Sequence, residues 1–399
     1  MNAYRYVIVG GGMAAHAAVQ GIRELDTQSP VGVFGEESTA PYRRPALSKD
    51  LWSNGAFEDA LLGDVDANTN LHLGERIKEI DPVRHRIRNT QGEEYTYEKL
   101  LLVTGGRVRK LPFDEGHVQY FRSESDYHSL RAHCGKGQRM VIIGGGFIGS
   151  EIAAALARNG EQVTMLFPEM GIGGGIFPEE LSVWLNDYYR KKNVDVQAGA
   201  SVEGIEERNG HFVIRTNLAQ SYEADHIVAG IGIEPDITLA EQAGIHTSDG
   251  IVVDCFLRSN ADDVYAAGDV ASFPYAAFDR HVRVEHEDNA MTMGKQAGRN
   301  MILQYRGEEA EAYVHLPMFY SDLFDLGYEA VGQLDAQLAT MIDWKEPYRQ
   351  GIVYYLDGDR VRGVLLWNVW EKVDAARALI AHPGPFPKEE FADWRLPMD

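Results

Sequence analysis

The stretch Tyr6–Gln20, YVIVGGGMAAHAAVQ, returns in outline as MVIIGGGFIGSEIAA over Met140–Ala154. Each stretch is a short β-branched run, three glycines and then an alanine-rich run, an order typical of a buried parallel strand that leads into a helix. Gly10 and Gly144 are 134 residues apart in this 399-residue chain, a distance far longer than a solenoid repeat. The sequence therefore predicts two whole dinucleotide-binding domains.

The first glycine motif, Gly10-x-Gly12-x-x-Ala15, predicts a pyrophosphate site. Its first glycine allows a tight turn, its second lets the backbone approach the phosphates, and its small third residue lets helix and strand pack closely. An acidic residue is expected after the next strand to bind a ribose diol, and Glu36 or its neighbour Glu37 follows that strand. The alternative is a glycine-rich turn that binds nothing.

The second motif, Gly144-x-Gly146-x-x-Gly149, is followed 25 residues after its first glycine by Glu169. A carboxylate at this position accepts hydrogen bonds from the adenosine hydroxyls and repels a 2′-phosphate. No arginine lies between residues 161 and 182, so the local chemistry favours NADH over NADPH. The alternative for Glu169 is a solvated charge in a turn.

Composition excludes several classes of function. A net charge of −22 argues against binding to nucleic acid or anionic lipid. The two cysteines, Cys134 and Cys255, form no disulfide framework and indicate a reducing compartment, so we expect a cytoplasmic protein. No apolar run is long enough to span a membrane, the N-terminal residues show no signal-peptide pattern, and no cluster has metal-ligand spacing.

Two further turns complete the pattern, Thr104-Gly105-Gly106 after an apolar strand and Ala266-Ala267-Gly268-Asp269 after another. With the two glycine motifs they resemble the two-dinucleotide-binding flavoproteins over essentially the whole chain. The resemblance implies FAD in the first domain, NADH in the second and a contact from Asp269 to the FAD ribityl–phosphate region. The sequence has no CxxC or CxxxxC pair, so electrons do not leave through an active-site dithiol.

Shorter stretches narrow the resemblance. Residues 41–49, PYRRPALSK, are similar to a segment shared by ferredoxin/rubredoxin reductases and apoptosis-inducing factor. Residues 166–169, 283–286, 319–322 and 327–330 (LFPE, RVEH, FYSD and GYEA) resemble apoptosis-inducing factor and its bacterial relatives. The family commonly has Trp where this chain has Tyr320, and the long C-terminal insertion and basic surface of the mitochondrial proteins are missing.

The resemblance implies a set of site residues. Arg44 and Lys49 would contact the flavin, Glu151 would face Lys49, and Glu285 and His286 would line the boundary between nicotinamide and flavin. The residues predicted for catalysis are Lys49, Glu151, His286 and Tyr320. Those predicted for FAD are Gly10, Gly12, Ala14, Ala15, Glu36, Arg44, Lys49, Ile77, Thr104, Gly105, Arg122, Asp269, His286, Glu287 and Tyr320. Those predicted for NADH are Gly145, Gly146, Phe147, Ile148, Glu151, Glu169, Gly232, Glu285 and Glu329.

Each predicted catalytic residue has an alternative, purely structural role. Lys49 and Glu151 would form a structural salt bridge, His286 would be a structural histidine, and Tyr320 would pack in the core.

We expect an α/β fold with two Rossmann-like domains and a C-terminal α+β domain. The predicted boundaries are 1–118 with 246–308 for FAD, 119–245 for NADH and 309–399 for the last domain.

The expected function is hydride transfer from NADH to FAD, with electrons passed to a non-disulfide acceptor such as ferredoxin, rubredoxin, a quinone or oxygen. The resemblance also implies an NADH-promoted homodimer with a charge-transfer complex. The alternatives are a ferredoxin/rubredoxin reductase component of an electron-transfer chain and a slow-turnover NADH redox sensor.

Overall fold

The computed structural model describes residues 2–53, 55–275, 278 and 280–398. The chain divides into two compact units, each built from three segments. Unit 1 comprises Met1–Arg44, Phe57–Arg107 and Glu234–Pro317, and unit 2 comprises Pro45–Ala56, Val108–Ile233 and Met318–Asp399. The α-helices are α1 (Met13–Leu25), α2 (Glu124–Arg131), α3 (Phe147–Arg158), α4 (Glu179–Lys191), α5 (Thr238–Gln242), α6 (Glu287–Tyr305), α7 (Val373–Ala381) and α8 (Phe391–Trp394).

A five-stranded parallel sheet forms the centre of unit 1. In spatial order its strands are Val264–Ala266, Lys99–Leu102, Tyr6–Val9, Val31–Gly35 and Thr69–Leu73. The three middle strands are buried along their whole length, including Lys99 at the start of one of them, and are otherwise nearly all apolar or glycine, as is typical of a parallel sheet. Strand Tyr6–Val9 leads through the glycine triplet into α1, so the first predicted strand–turn–helix unit is present.

Helices α1 and α6 pack against each other through small residues. Gly294 and Gly298 of α6 lie against the backbone of Ala14 and Ala18, where a Cβ atom would collide with a carbonyl oxygen. Gly21 of α1 lies equally close to the backbone of Lys295. This close approach holds the start of α1 firmly beside the parallel sheet.

The rest of unit 1 is built from smaller sheets and short strands. One sheet orders Asn2–Ala3, Glu94–Thr96, Arg86–Asn89 and Ile77–Asp81, and a second orders Thr247–Ser248, Gly250–Val252, Ala271–Tyr275 and Arg280–Val282. Within the first of these sheets, Arg86–Asn89 pairs antiparallel with both Ile77–Asp81 and Glu94–Thr96. The short strands Gly106–Val108 and Ile233–Pro235 lie at positions in the sequence where one unit ends and the other begins. Strand Gln119–Tyr120 of unit 2 also lies close to such a position.

Unit 2 repeats the arrangement. Its parallel sheet orders Gln119–Tyr120, His226–Ala229, Arg139–Ile143, Gln162–Phe167 and Val194–Ala198. Strand Arg139–Ile143 leads through the second glycine triplet into α3. An antiparallel sheet of Val202–Arg208, His211–Thr216 and Ser221–Ala224 follows.

The last part of unit 2 is a five-stranded antiparallel sheet with α7 and α8. The spatial order is Met318–Leu323, Leu326–Gly332, Arg360–Trp367, Gln350–Asp357 and Ala339–Glu346. Trp367 is fully buried and stacks on Tyr328, with ring centroids 5.6 Å apart. The predicted fold class is confirmed: parallel dinucleotide-binding sheets and an α+β region. The three-domain boundaries stay a prediction.

Candidate functional site

The first glycine turn is shaped for a phosphate. Gly10 has φ +127°, and a Cβ atom there would collide with the carbonyl of Val103. Among the described residues, its chain neighbours apart, none has an atom within 4 Å of the Cβ position of Gly12, so its face is open. Helix α1 begins immediately afterwards with no side-chain cap, which leaves the amides of its first turn to an outside acceptor. These features fit the pyrophosphate of FAD.

The turn that carries Asp269 lies beside this cradle. Gly268 has φ +73° and its Cβ position is 3.1 Å from the Cβ of Ala14, so a larger residue would press on the first turn of α1. Arg283 donates to the carbonyl of Asp269 at 3.3 Å. The structure thus brings Asp269 to the first glycine motif.

The two acidic candidates after the second strand of unit 1 differ in their partners. Glu36 is exposed and pairs with Arg76 at 3.2 Å. Glu37 is half-buried and accepts hydrogen bonds from Tyr42 at 2.6 Å and from Arg44. Arg44 also donates to the Tyr42 hydroxyl at 3.1 Å. Arg44, predicted for FAD, is therefore oriented by Glu37.

The remaining predicted FAD residues of unit 1 have defined places. Thr104 donates to the carbonyl of Asp236 at 2.7 Å, and the Gly105 carbonyl accepts from the amide of the same Asp236 at 2.9 Å. Ile77 is buried at the start of its strand. His286 is the N-cap residue of α6, and Glu287 is the first residue of that helix.

The second glycine turn has the same geometry. Gly144 has φ +116° and lies against the carbonyl of Gly230. Apart from its chain neighbours, no residue in the described part of the chain has an atom within 4 Å of the Cβ position of Gly146. Helix α3 begins at Phe147 without a side-chain cap. Gly145 lies against the ring of Phe167. The turn fits a second pyrophosphate.

A cavity of about 190 Å³ opens beside this turn. It is lined by Gly145, Gly146 and Phe147 of the turn, by Glu169, and by residues 172–177. The predicted ribose carboxylate and the predicted phosphate cradle therefore share one cavity. Ile148 is 36% exposed, and Gly232, with φ +93°, accepts from the amide of Arg109 at 3.0 Å.

Unit 2 also contains a buried charged cluster around Glu151. The side chains of Lys49 and Glu151 are 7% and 4% exposed and form an ion pair. The Glu151 carboxylate accepts further hydrogen bonds from Ser48, at 2.5 Å, and from Ser321. The Lys49 ammonium lies 5.2 Å from the centre of the Tyr320 ring, a cation–π distance. The structure thus brings Lys49, Glu151 and Tyr320 together.

The predicted site residues Glu329, Arg122 and Glu285 do not take part in the ion pair and hydrogen bonds around Glu151. Glu329 lies opposite Tyr320 in the antiparallel pair, its Oε2 is buried without a hydrogen-bond partner among the described residues, and burial raises its pKa. Arg122 is half-buried, and its amide donates to Asp126. Glu285 is contacted by the guanidinium of Arg283.

Ser48 and Ser321 were not predicted from the sequence as hydrogen-bond donors to the Glu151 carboxylate. Both lie inside the quoted stretches, directly before Lys49 and directly after Tyr320. Small hydroxyl residues next to predicted site residues were the available signal, because a buried charge needs several hydrogen bonds.

No group of three His, Cys, Asp or Glu side chains able to hold a metal occurs in the described part of the chain. Among those same residues, no helix is long and apolar enough to cross a membrane.

Comparisons with known proteins identify the family of the chain. The family model for pyridine nucleotide-disulphide oxidoreductases matches residues 4–294. The chain belongs to this family. A second model, the C-terminal region of mitochondrion-associated apoptosis-inducing factor, matches residues 342–382.

Among curated relatives, the ferredoxin–NAD(+) reductase component of the anthranilate 1,2-dioxygenase system of Burkholderia cepacia is 33% identical, with 98% of each chain covered. Mitochondrial apoptosis-inducing factor 1 of Dictyostelium discoideum is 30% identical over 94% of this chain and 78% of the relative. A solved covalent complex of putidaredoxin reductase with putidaredoxin has a TM-score of 0.88 at 26% identity, with 98% of each chain covered.

The resemblance to apoptosis-inducing factor within the ferredoxin reductase-like flavoproteins is confirmed. This family member is an oxidoreductase that uses FAD and NAD(H). The roles assigned to individual site residues stay predictions.

We predict that Glu151→Gln lowers the free energy of unfolding by about 3–5 kcal/mol, because it leaves the buried Lys49 ammonium without a counter-charge. Asp187→Asn, which breaks an exposed ion pair with Arg190, should cost less than about 1 kcal/mol. The double variant Lys49→Met/Glu151→Leu should cost less than the sum of its single changes. Urea unfolding of the wild type, of these three variants and of the single changes Lys49→Met and Glu151→Leu measures this. Equal small losses in all of the variants would mean that the pair is solvated.

We also predict a pH dependence from His286, whose pKa desolvation lowers from 6.5 to about 4. The unfolded chain binds the proton more readily than the native one between these values, so stability rises with pH in that window. The contribution is fully present above pH 6.5 and is lost as the pH falls towards 4, by about 3 kcal/mol. Urea unfolding from pH 7.5 to 4.5 should show a shallower loss for His286→Gln. His128→Gln, at an exposed ring, is the control, and identical slopes for wild type and His286→Gln would contradict the assignment.

Proposed function

We propose that the chain is an NADH reductase that passes electrons through FAD to a ferredoxin-type protein. The observation that carries the proposal is the pair of glycine cradles in a chain with no cysteine pair. The two cysteines, Cys134 and Cys255, are both free thiols and lie 121 residues apart in sequence. An internal dithiol route is therefore closed, and the electrons need an external acceptor.

Two relatives support a protein as that acceptor. The Burkholderia cepacia relative is named as a ferredoxin–NAD(+) reductase component, and it matches this chain end to end. The putidaredoxin reductase of the solved complex is held with its electron-carrier protein. Bound FAD would supply the chemistry that links a two-electron hydride donor to an electron-accepting protein.

The chain's own residues have three proposed tasks. The amides at the starts of α1 and α3 hold the two pyrophosphates. Lys49 stabilises the negative charge of the reduced cofactor, and Glu151 fixes the direction of its ammonium group. Ser48 and Ser321 in turn orient Glu151. Because the carboxylate has all of these partners, the hydrogen bonds hold the ammonium in one direction.

Glu169 is proposed to select NADH. Its carboxylate lines the cavity of the second glycine turn, and no arginine within residues 161–182 is available to bind a 2′-phosphate. A phosphate placed beside this carboxylate would meet like charge, whereas ribose hydroxyls would donate hydrogen bonds to it.

Glu169→Ala should therefore reduce the ratio of kcat/KM for NADH over NADPH by about tenfold or more, since a lost charged hydrogen bond changes binding by at least that factor. Glu180→Ala removes an exposed carboxylate from α4 and should leave the ratio unchanged. Stopped-flow reduction of the bound flavin by each nucleotide gives the ratio. Equal rates for the two nucleotides in the unmodified protein would contradict the proposal.

The acceptor is tested by turnover. With NADH, a ferredoxin should be reduced many times faster than oxygen or a quinone, because one relative is named as a ferredoxin–NAD(+) reductase component and another as a putidaredoxin reductase. The alternative, a slow sensor with an NADH-promoted dimer and a charge-transfer complex, rests on the likeness to apoptosis-inducing factor. Anaerobic sedimentation with excess NADH tests it. A doubled mass with a long-lived long-wavelength absorbance and no ferredoxin turnover would favour the sensor. The cytoplasmic location stays a prediction.

A further inference from the structure

The loop between strand Gln162–Phe167 and α4 has an unusual composition for an ordered segment. Residues 168–178, here called the 168–178 loop, contain glycine at 171, 173, 174 and 175. Glycine loses more conformational freedom on ordering than any other residue, so ordering such a loop is costly. The loop nevertheless carries Glu169 and lines the nucleotide cavity. Its own backbone hydrogen bonds lie after residue 170, from the amides of Gly174, Ile176 and Phe177, so the part next to Glu169 depends on contacts from outside the loop.

Two buried polar side chains of α4 supply those contacts. Asn186 is 4% exposed; its Oδ1 accepts from the amide of Ile172 at 3.1 Å, and its Nδ2 donates to the carbonyl of Met170 at 2.9 Å. Ser182 is 2% exposed and donates to the carbonyl of Ile172 at 2.8 Å. The two side chains thereby bridge the backbone on both sides of Gly171. Because water is excluded, no solvent competes for these hydrogen bonds.

The same loop is tied to the second glycine turn and to the sheet. The amide of Gly173, at φ +70°, donates to the carbonyl of Gly145 at 2.8 Å. The carbonyl of Glu169 accepts from the amide of Gly199 at 2.9 Å. A Cβ atom on Gly171 would collide with Ser182, so the loop passes α4 at the closest possible distance. The Glu169 side chain is exposed, and its position therefore depends on this backbone path.

We infer that Asn186 and Ser182 are positioning residues for nucleotide selection: they hold the 168–178 loop so that Glu169 meets the ribose hydroxyls of NADH. The inference rests on the proposed function, in which Glu169 reads the ribose. Neither side chain lines the cavity, so both act through the loop backbone and not by contact with the nucleotide.

The test uses the whole FAD-loaded protein and the variants Asn186→Ala and Ser182→Ala. Calorimetric titration should show NAD⁺ binding weakened about tenfold in Asn186→Ala and a few-fold in Ser182→Ala, with NADP⁺ binding much less affected. The KM for NADH should rise by similar factors, while kcat stays within about twofold. Asn300→Ala is the matched control, because Asn300 is a fully buried asparagine of α6 that holds another segment through the carbonyls of Phe256 and Glu311.

The outcomes separate a positioning role from a structural one. Asn300→Ala should lower the Tm and leave nucleotide selection unchanged. If Asn186→Ala and Ser182→Ala behave in the same way, with an unchanged ratio of NAD⁺ to NADP⁺ affinity, the inference is overturned. Should Asn186→Ala not fold, Ser182→Ala decides alone, since it removes one hydrogen bond and little volume.

A double variant separates this inference from the proposed function. In a Glu169→Ala background, Asn186→Ala should change the NAD⁺ to NADP⁺ ratio no further, because the group that it positions is gone. Full additivity would overturn the inference and leave the role of Glu169 intact. An unchanged ratio in Glu169→Ala by itself would overturn the proposed selection by Glu169, and the inference with it.

Discussion

The rest of the structure depends on two turns at which the backbone passes very close to the backbone of another strand end. At Gly10 and Gly144 the chain passes so near a neighbouring carbonyl that no side chain fits, and both residues adopt positive φ. Only this path carries a central parallel strand directly into a helix whose first amides point away from the sheet. The open faces at Gly12 and Gly146 follow from it, and so do the places where acidic side chains are useful.

The charged cluster of unit 2 depends on burial in a different way. A carboxylate that is 4% exposed needs partners for both oxygens, and Glu151 has an ammonium and two hydroxyls. Its neighbours come from distant parts of the sequence, residues 48–49 and residue 321. Such a network is stable only when it is complete, because a partly satisfied buried charge costs several kcal/mol. The network therefore fixes the direction of the Lys49 ammonium.

Much of the fold follows from short-range pattern. The apolar strands, the glycine triplets and the alanine-rich helices are local signals, and the structure has them at the predicted positions. The contact between Lys49 and Glu151 was predictable only through family resemblance, since 102 residues separate the partners and no spacing rule joins them. Ser48 and Ser321 were not predicted, because which hydroxyls reach a carboxylate depends on three-dimensional packing. Asn186 was missed for the same reason: in sequence it is a polar residue inside an amphipathic helix.

The interleaving of the two units has a consequence for the growing chain on the ribosome. Helix α1 ends at residue 25, but α6, which covers its glycine and alanine face, begins at residue 287. At about 5–20 residues per second, synthesis leaves that face without its partner for roughly 13–50 seconds. The parallel sheet of unit 2, by contrast, has all its strands once residue 229 has emerged. The second dinucleotide-binding sheet, in the middle of the chain, can therefore fold first. The first one, which contains the N-terminal residues, is completed after it.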